Sequence, residues 1–200
     1  SLDAGGVFKN YIVRTLSKNN SNNLTALELG GPGSRLFRAF PKLFFRKTLG
    51  ICLKDIRTNS ENDLELNHGH SVIEANILEV NKNYLKEKVL SVLGVDKTDL
   101  IICRMMGPLN HINKDPAILD RVIRNWYNLL NENGLIFIQF IFLNSEIEML
   151  KNITKWANTV QVQFPEIEIQ FDKDGTAIRI HKRRGSPEVL PSSKELFKEQ

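Results

Sequence analysis

Three glycines crowd one short turn of this chain, in Glu28-Leu29-Gly30-Gly31-Pro32-Gly33-Ser34. An apolar run over 24–29 enters the turn, which predicts a strand. A short helix over 35–40, capped by Ser34 and stopped by Pro41, is expected to leave it. Glycines there let a ligand approach the backbone, and the start of the helix faces an anion or a polar group. No Gly-Lys-Ser/Thr follows, so this is not a phosphate-cradling loop, and Leu36 stands where a dinucleotide fingerprint needs its third glycine. Two later residues extend the pattern. Asp55 ends the apolar run 49–55 and could accept hydrogen bonds from both hydroxyls of a ribose. Asn76 ends the run 71–77 and could pair with an adenine edge. Each alone reads equally well as a solvated loop residue. Together with Glu28 they fall at successive strand ends, where open parallel sheets bind ligands.

The elements that would position these residues alternate in type. A helix is expected over 10–18, with Tyr11, Ile12, Val13 and Leu16 at helical spacing. Strands are expected over 24–29, 49–55, 71–77, 99–105 and 135–143. Helices over 81–93, with Leu85, Val89, Leu90 and Leu93 on one face, and over 117–130 lie between the later ones. Residues 131–134, Asn-Glu-Asn-Gly, read as a turn. Runs that are apolar throughout, rather than alternating, suit strands buried on both faces. The pattern is that of a parallel α/β sheet covered by helices on both sides. After a helix over 145–157 come strands over 160–171 and 176–182. Asp172-Lys173-Asp174-Gly175 between them is a strong hairpin signal, so the sheet should finish with an antiparallel pair. One domain over 1–185 and a tail over 186–200 are expected.

Two hundred residues suffice for a core without metal or disulfide support. No apolar stretch nears the ~20 residues that cross a bilayer, and the first residues lack a signal-peptide pattern. The chain does not begin with Met, which leaves a missing N-terminal segment open. Its net charge of +4 is only mildly basic and permits an anionic substrate. Cys52 and Cys103, both in apolar runs, read as buried reduced thiols of a cytoplasmic protein. His68 and His70 lack the further ligands of a metal site, and no metal is expected. Residues 35–47 interleave Arg35, Arg38, Lys42, Arg46 and Lys47 with Phe37, Phe40, Phe44 and Phe45. That could stack bases beside phosphate-binding cations, but a core-facing helix and strand with a solvated basic face is favoured.

From about residue 23 to 182 the sequence resembles the class I S-adenosylmethionine-dependent methyltransferases. The acid and glycine turn from Glu28 to Ser34 match the family's first motif, Asp55 in Gly50-Ile51-Cys52-Leu53-Lys54-Asp55 matches its ribose-binding acid, and Asn76-Ile77 match its adenine-side pair, more often begun by Asp. The resemblance implies a Rossmann-like three-layer α/β/α domain. Its mostly parallel seven-stranded sheet ends in an antiparallel hairpin. It implies S-adenosylmethionine as cofactor, held by Glu28, Gly30, Gly31, Gly33, Asp55, Asn76 and Ile77. The stretch 98–112 resembles the fourth strand and its following loop, and 128–140 a helix-turn-strand in which Asn131, Glu132 and Asn133 replace part of the usual turn.

Methyl transfer needs the acceptor aligned behind the methyl group, water excluded and, for some acceptors, a proton removed. The loop after the fourth strand would supply this. His111 is a candidate general base, although a structural role in the loop is favoured for it; Arg104 is a candidate clamp for an acceptor carboxylate and equally a surface residue, and Asn110 lies beside them. Met106-Gly107-Pro108-Leu109 replaces the Pro-Pro-Tyr tetrad of amino-methylating nucleic-acid enzymes, which disfavours that subgroup. The acceptor is therefore expected to be a small molecule. The pocket would be open, or completed by a partner chain or a second copy. A catalytically silent binding module and an RNA-binding or RNA-modifying protein are the two other readings.

Overall fold

A computed structural model of the chain describes residues 6–19, 22–55, 69–77, 83–104, 123–139, 147–172 and 177–192. Its strands are β1 (Thr25–Leu29), β2 (Lys47–Cys52), β3 (His70–Glu74), β4 (Thr98–Arg104), β5 (Leu130–Gln139), β6 (Ile167–Phe171) and β7 (Ala177–Lys182). The helices are α1 (Val7–Leu16), α2 (Ser34–Arg38), α3 (Asn83–Leu93), α4 (Asn125–Asn128) and α5 (Ile147–Gln163). One seven-stranded sheet runs in the order β3-β2-β1-β4-β5-β7-β6. Its first five strands in that order are parallel, and β7 pairs antiparallel with both β5 and β6. The expected sheet, strand number and closing hairpin are all present.

Burial on both faces explains the unbroken apolar runs. Leu27, Leu29, Ile101 and Cys103 join the layer that holds Trp126 and Trp156. Ala26, Leu100 and Ile102 face the opposite layer, with Ile12, Leu16 and Phe37 of α1 and α2. Each such aliphatic side chain contributes about 1.5–3 kcal/mol by leaving water. Asp99 fastens three strands at their starting ends: its carboxylate accepts from the Thr25 backbone N–H at 2.8 Å and from Asn131 Nδ2 at 3.0 Å. Both cysteines are buried, as expected, and neither is in a disulfide.

Several boundaries differ from the sequence reading. The helix expected over 10–18 begins at Val7, and a short 3-10 turn over Ser17–Asn19 follows it. Ser34 is the first residue of α2 rather than its cap; Gly33 holds the cap position in the left-handed region, with no side-chain hydrogen bond. Leu90 is exposed instead of facing the core with Val89 and Leu93. In place of a helix to residue 130, α4 ends at Asn128, and Leu130 already pairs with Thr98 before an irregularity over the expected turn. The earlier part of that expected helix lies outside the described residues. Val160 is a buried residue of α5, not the start of a strand, because the helix runs to Gln163, six residues past its expected end, and keeps its apolar face on the sheet. Apart from these boundaries, Leu190 is buried, and Tyr127 Oη donates to the Pro187 carbonyl at 2.7 Å.

Candidate functional site

Register decides what meets at the carboxyl ends of the strands. Glu28 lies opposite Gly50 of β2 on one side and Ile102 of β4 on the other. Arg104 is two residues beyond Ile102, hence on the same face of the sheet. Its Nε and Nη2 both donate to Glu28 Oε1 at 2.6 Å. Glu28 is only 1% exposed, Arg104 35%. The other carboxylate oxygen, Oε2, is buried with no hydrogen-bond partner. Burial raises the Glu28 pKa, and Arg104 with the Gly33 backbone amide offsets only part of that.

The glycine turn lies directly on this carboxylate. A Cβ on Gly31 would stand 3.0 Å from the Glu28 carboxyl group. Gly30 and Gly33 have φ of 89° and 79°, where a side chain would be strained. The Gly30 N–H donates to the Ile51 carbonyl at 2.8 Å, and the turn runs so close over β2 that a Cβ on Gly50 would meet the Pro32 oxygen at 2.1 Å. His70 completes the support, with Nε2 2.8 Å from the Pro32 oxygen and Nδ1 2.6 Å from Thr48 Oγ1. A carbonyl only accepts, so Nε2 carries the proton. Neither Gly50 nor His70 was singled out for this role from the sequence. A lone glycine inside an apolar strand was the available signal for close backbone approach. His70, half of the His68–His70 pair, is engaged with the turn; His68 lies outside the described residues.

The remaining strand-end residues assemble beside the turn. Asp55 lies three residues past β2, half-buried, and its backbone N–H donates to Glu74 Oε1 at 2.8 Å. The Ala75 N–H donates to the Cys52 carbonyl at 2.9 Å, so the segment carrying exposed Asn76 and buried Ile77 is tied to the end of β2. Arg104 is committed to Glu28. Asn110 and His111 lie outside the described residues.

No protein-family model and no curated protein sequence matches this chain. Solved structures do. An rRNA methylase from Streptococcus thermophilus is similar over 92% of this chain and 100% of its own, with 12% identity and a TM-score of 0.54. The plantazolicin methyltransferase BamL, in complex with a triazolic desmethylPZN analogue and SAH, is similar over 88% of this chain and 83% of its own, with 13% identity and a TM-score of 0.54. MycE, a methyltransferase from the mycinamycin biosynthetic pathway in complex with Mg and SAH, is similar over 92% of this chain at 12% identity and a TM-score of 0.53. This chain spans about half of MycE's length (48%). The fold is that of the class I methyltransferases.

Within a methyltransferase fold the site's composition can be tested against S-adenosylmethionine. An orphaned buried acceptor at Glu28, a turn with no side chains over Gly30, Gly31 and Gly33, a carboxylate at Asp55, an amide at Asn76 and an apolar wall at Ile77 form a set that suits an adenosine with a charged tail. The residues fit. The aromatic-basic segment does not offer a base-stacking platform: Phe37, Phe40 and Phe45 are buried and packed edge-to-face on one another, while Arg35, Arg38, Lys42 and Arg46 lie outside the core. Among the described residues, no helix is long and apolar enough to cross a membrane.

Proposed function

We propose that this chain transfers a methyl group from S-adenosylmethionine to a small-molecule acceptor, using one methyltransferase-like domain over residues 1–185. The observation that carries the reading is the arrangement at β1 and β2. There, a buried carboxylate with one orphaned oxygen underlies a glycine turn, beside Asp55 at the neighbouring strand end. Asp55 would take the ribose hydroxyls, Asn76 and Ile77 the adenine, and Glu28 with Gly30, Gly31 and Gly33 the amino-acid end. The bound cofactor supplies an activated methyl group; the chain's part is to bind, orient and exclude water. His111 and Asn110, from the loop after β4, would face the acceptor, with His111 as the base for a hydroxyl. Arg104 could hold an acceptor carboxylate only by sharing its guanidinium with Glu28.

A specific observation favours one other reading, a silent binding module. Arg104 occupies Glu28 Oε1, an oxygen that the cationic amino-acid end of the cofactor would otherwise use. Melting of the full chain with S-adenosylhomocysteine, S-adenosylmethionine, NAD or ATP separates the two. At 100 times the dissociation constant a ligand adds about 2.7 kcal/mol, a shift of roughly 5–10 °C for this length. A shift with the first two alone supports the methyltransferase; no shift with either favours the silent module.

A further inference from the structure

A cavity opens beneath α2, over the amino-terminal halves of β2 and β3 rather than the strand ends. Its volume is about 190 Å³. Buried Phe37, Phe40 and Phe45 wall it, and His70 and Thr48 close its sheet side. The three phenyl rings meet at 5.1–5.9 Å in edge-to-face pairs, and Phe37 lies 5.8 Å from the His70 ring. An apolar cavity of about 150 Å³ is large enough to take up benzene, so a single six-membered ring fits this one. Such walls offer ring edges and faces to a further aromatic.

On the sheet side Thr48 and His70 are hydrogen-bonded to each other, so the polar groups open to a ligand are those of α2 and the segment after it. Ser34 lines the cavity, is 4% exposed, and its Oγ has no hydrogen-bond partner. A buried hydroxyl left unpaired costs about 1–3 kcal/mol, which a ligand oxygen would relieve. Arg38 is four residues on, hence on the same face of α2, and also lines the cavity. Lys42 adds a second exposed cation, and none of the residues lining the cavity is acidic. Leu43, 77% exposed, stands at the mouth. A ring with an anionic group meets all of this: the ring among the phenylalanines, the anion between the Ser34 hydroxyl and the Arg38 guanidinium. Carboxylate suits the planar guanidinium fork.

We propose that this cavity is a binding site for a small aryl carboxylate, separate from the strand-end site. The test is calorimetric titration of the full chain with benzoate and with benzyl alcohol, its neutral counterpart. Benzoate should bind once per chain and about tenfold or more tighter than benzyl alcohol, since a charge-assisted pair is what distinguishes them. The exposed double substitution Arg38→Ala with Lys42→Ala should bring the two affinities within about twofold. Ser34→Ala should weaken benzoate several-fold, and Leu43→Trp, which plugs the mouth from the surface, should weaken both probes. Saturating S-adenosylhomocysteine should leave benzoate binding unchanged. The proposal is overturned by no benzoate binding, by equal affinity for the two probes, by parental affinity in Leu43→Trp, or by displacement of benzoate with S-adenosylhomocysteine.

Discussion

Arg104 puts two N–H donors on a single oxygen of Glu28 and none on the other. Across β1 and β4 the pair neutralises a carboxylate that the fold has taken out of water, yet Arg104 leaves the second oxygen to the glycine turn. A buried acid that was only a stability element would be expected to use both oxygens.

Arg104→Ala should therefore destabilise the chain. Stranding a fully buried partner costs about 3–5 kcal/mol. Because Arg104 is 35% exposed, water replaces part of its role, and about 2 kcal/mol is expected. Urea denaturation near neutral pH measures it. The deficit should shrink in acid, where Glu28 takes up a proton; a deficit that ignores pH would show that the charge pair is not its source.

Stability itself should depend on the protonation of two buried acids. Glu28 and Asp99 both have raised pKa values in the folded chain, with burial the largest cause in each case. The folded state then binds more protons than the unfolded one through that range. Their contribution is fully present below the ordinary carboxylate values, roughly 4, and is lost as pH rises through each raised value. Denaturation midpoints compared between about pH 4 and 7 should flatten in Glu28→Gln with Asp99→Asn. A double variant that keeps the parental slope would assign the titration to other groups.

Gly50→Ala should disturb the turn from below. Its methyl group would meet backbone, the Pro32 oxygen at 2.1 Å and Cα at 2.8 Å, so no side-chain rotation relieves it. A loss of about 1–3 kcal/mol is expected for such overpacking, together with weaker S-adenosylhomocysteine binding. Unchanged melting and affinity would mean that the turn does not rest on β2 as described.

Asp55→Ala addresses the cofactor directly. Hydrogen bonds to a charged group contribute about 1.5–3 kcal/mol, or roughly ten- to a hundredfold in affinity. Calorimetry with S-adenosylhomocysteine should show that loss with little change in melting of the free chain, since Asp55 is only half-buried. Undiminished affinity would place the ribose elsewhere.

The sheet was legible because its strands are buried on both faces, and unbroken apolar runs such as 100–103 have few other uses. Boundaries were less so. Val160 reads equally well as the first residue of a strand or the last turn of a helix, and only the packing of α5 against β6 decides. Leu130 was assigned to a helix because helical spacing does not reveal that its backbone is needed beside Thr98. At the candidate site, Glu28 and the glycines stood out because their spacing in sequence is local. The partners that set their chemistry, Arg104, His70 and Gly50, are brought in by register from other strands. That register is a tertiary property, and a single sequence carries it only weakly.

The position of β7 also sets an order of events during synthesis. Because β7 lies between β5 and β6, the outer edge of β5 has no neighbour until the whole of α5 and β6 has been made. Through that interval Leu135, Ile136 and Ile138, all core residues of the finished sheet, belong to an unpaired edge strand. The nascent chain is then most open to pairing with a neighbouring chain, and the hairpin that closes the sheet also ends that exposure.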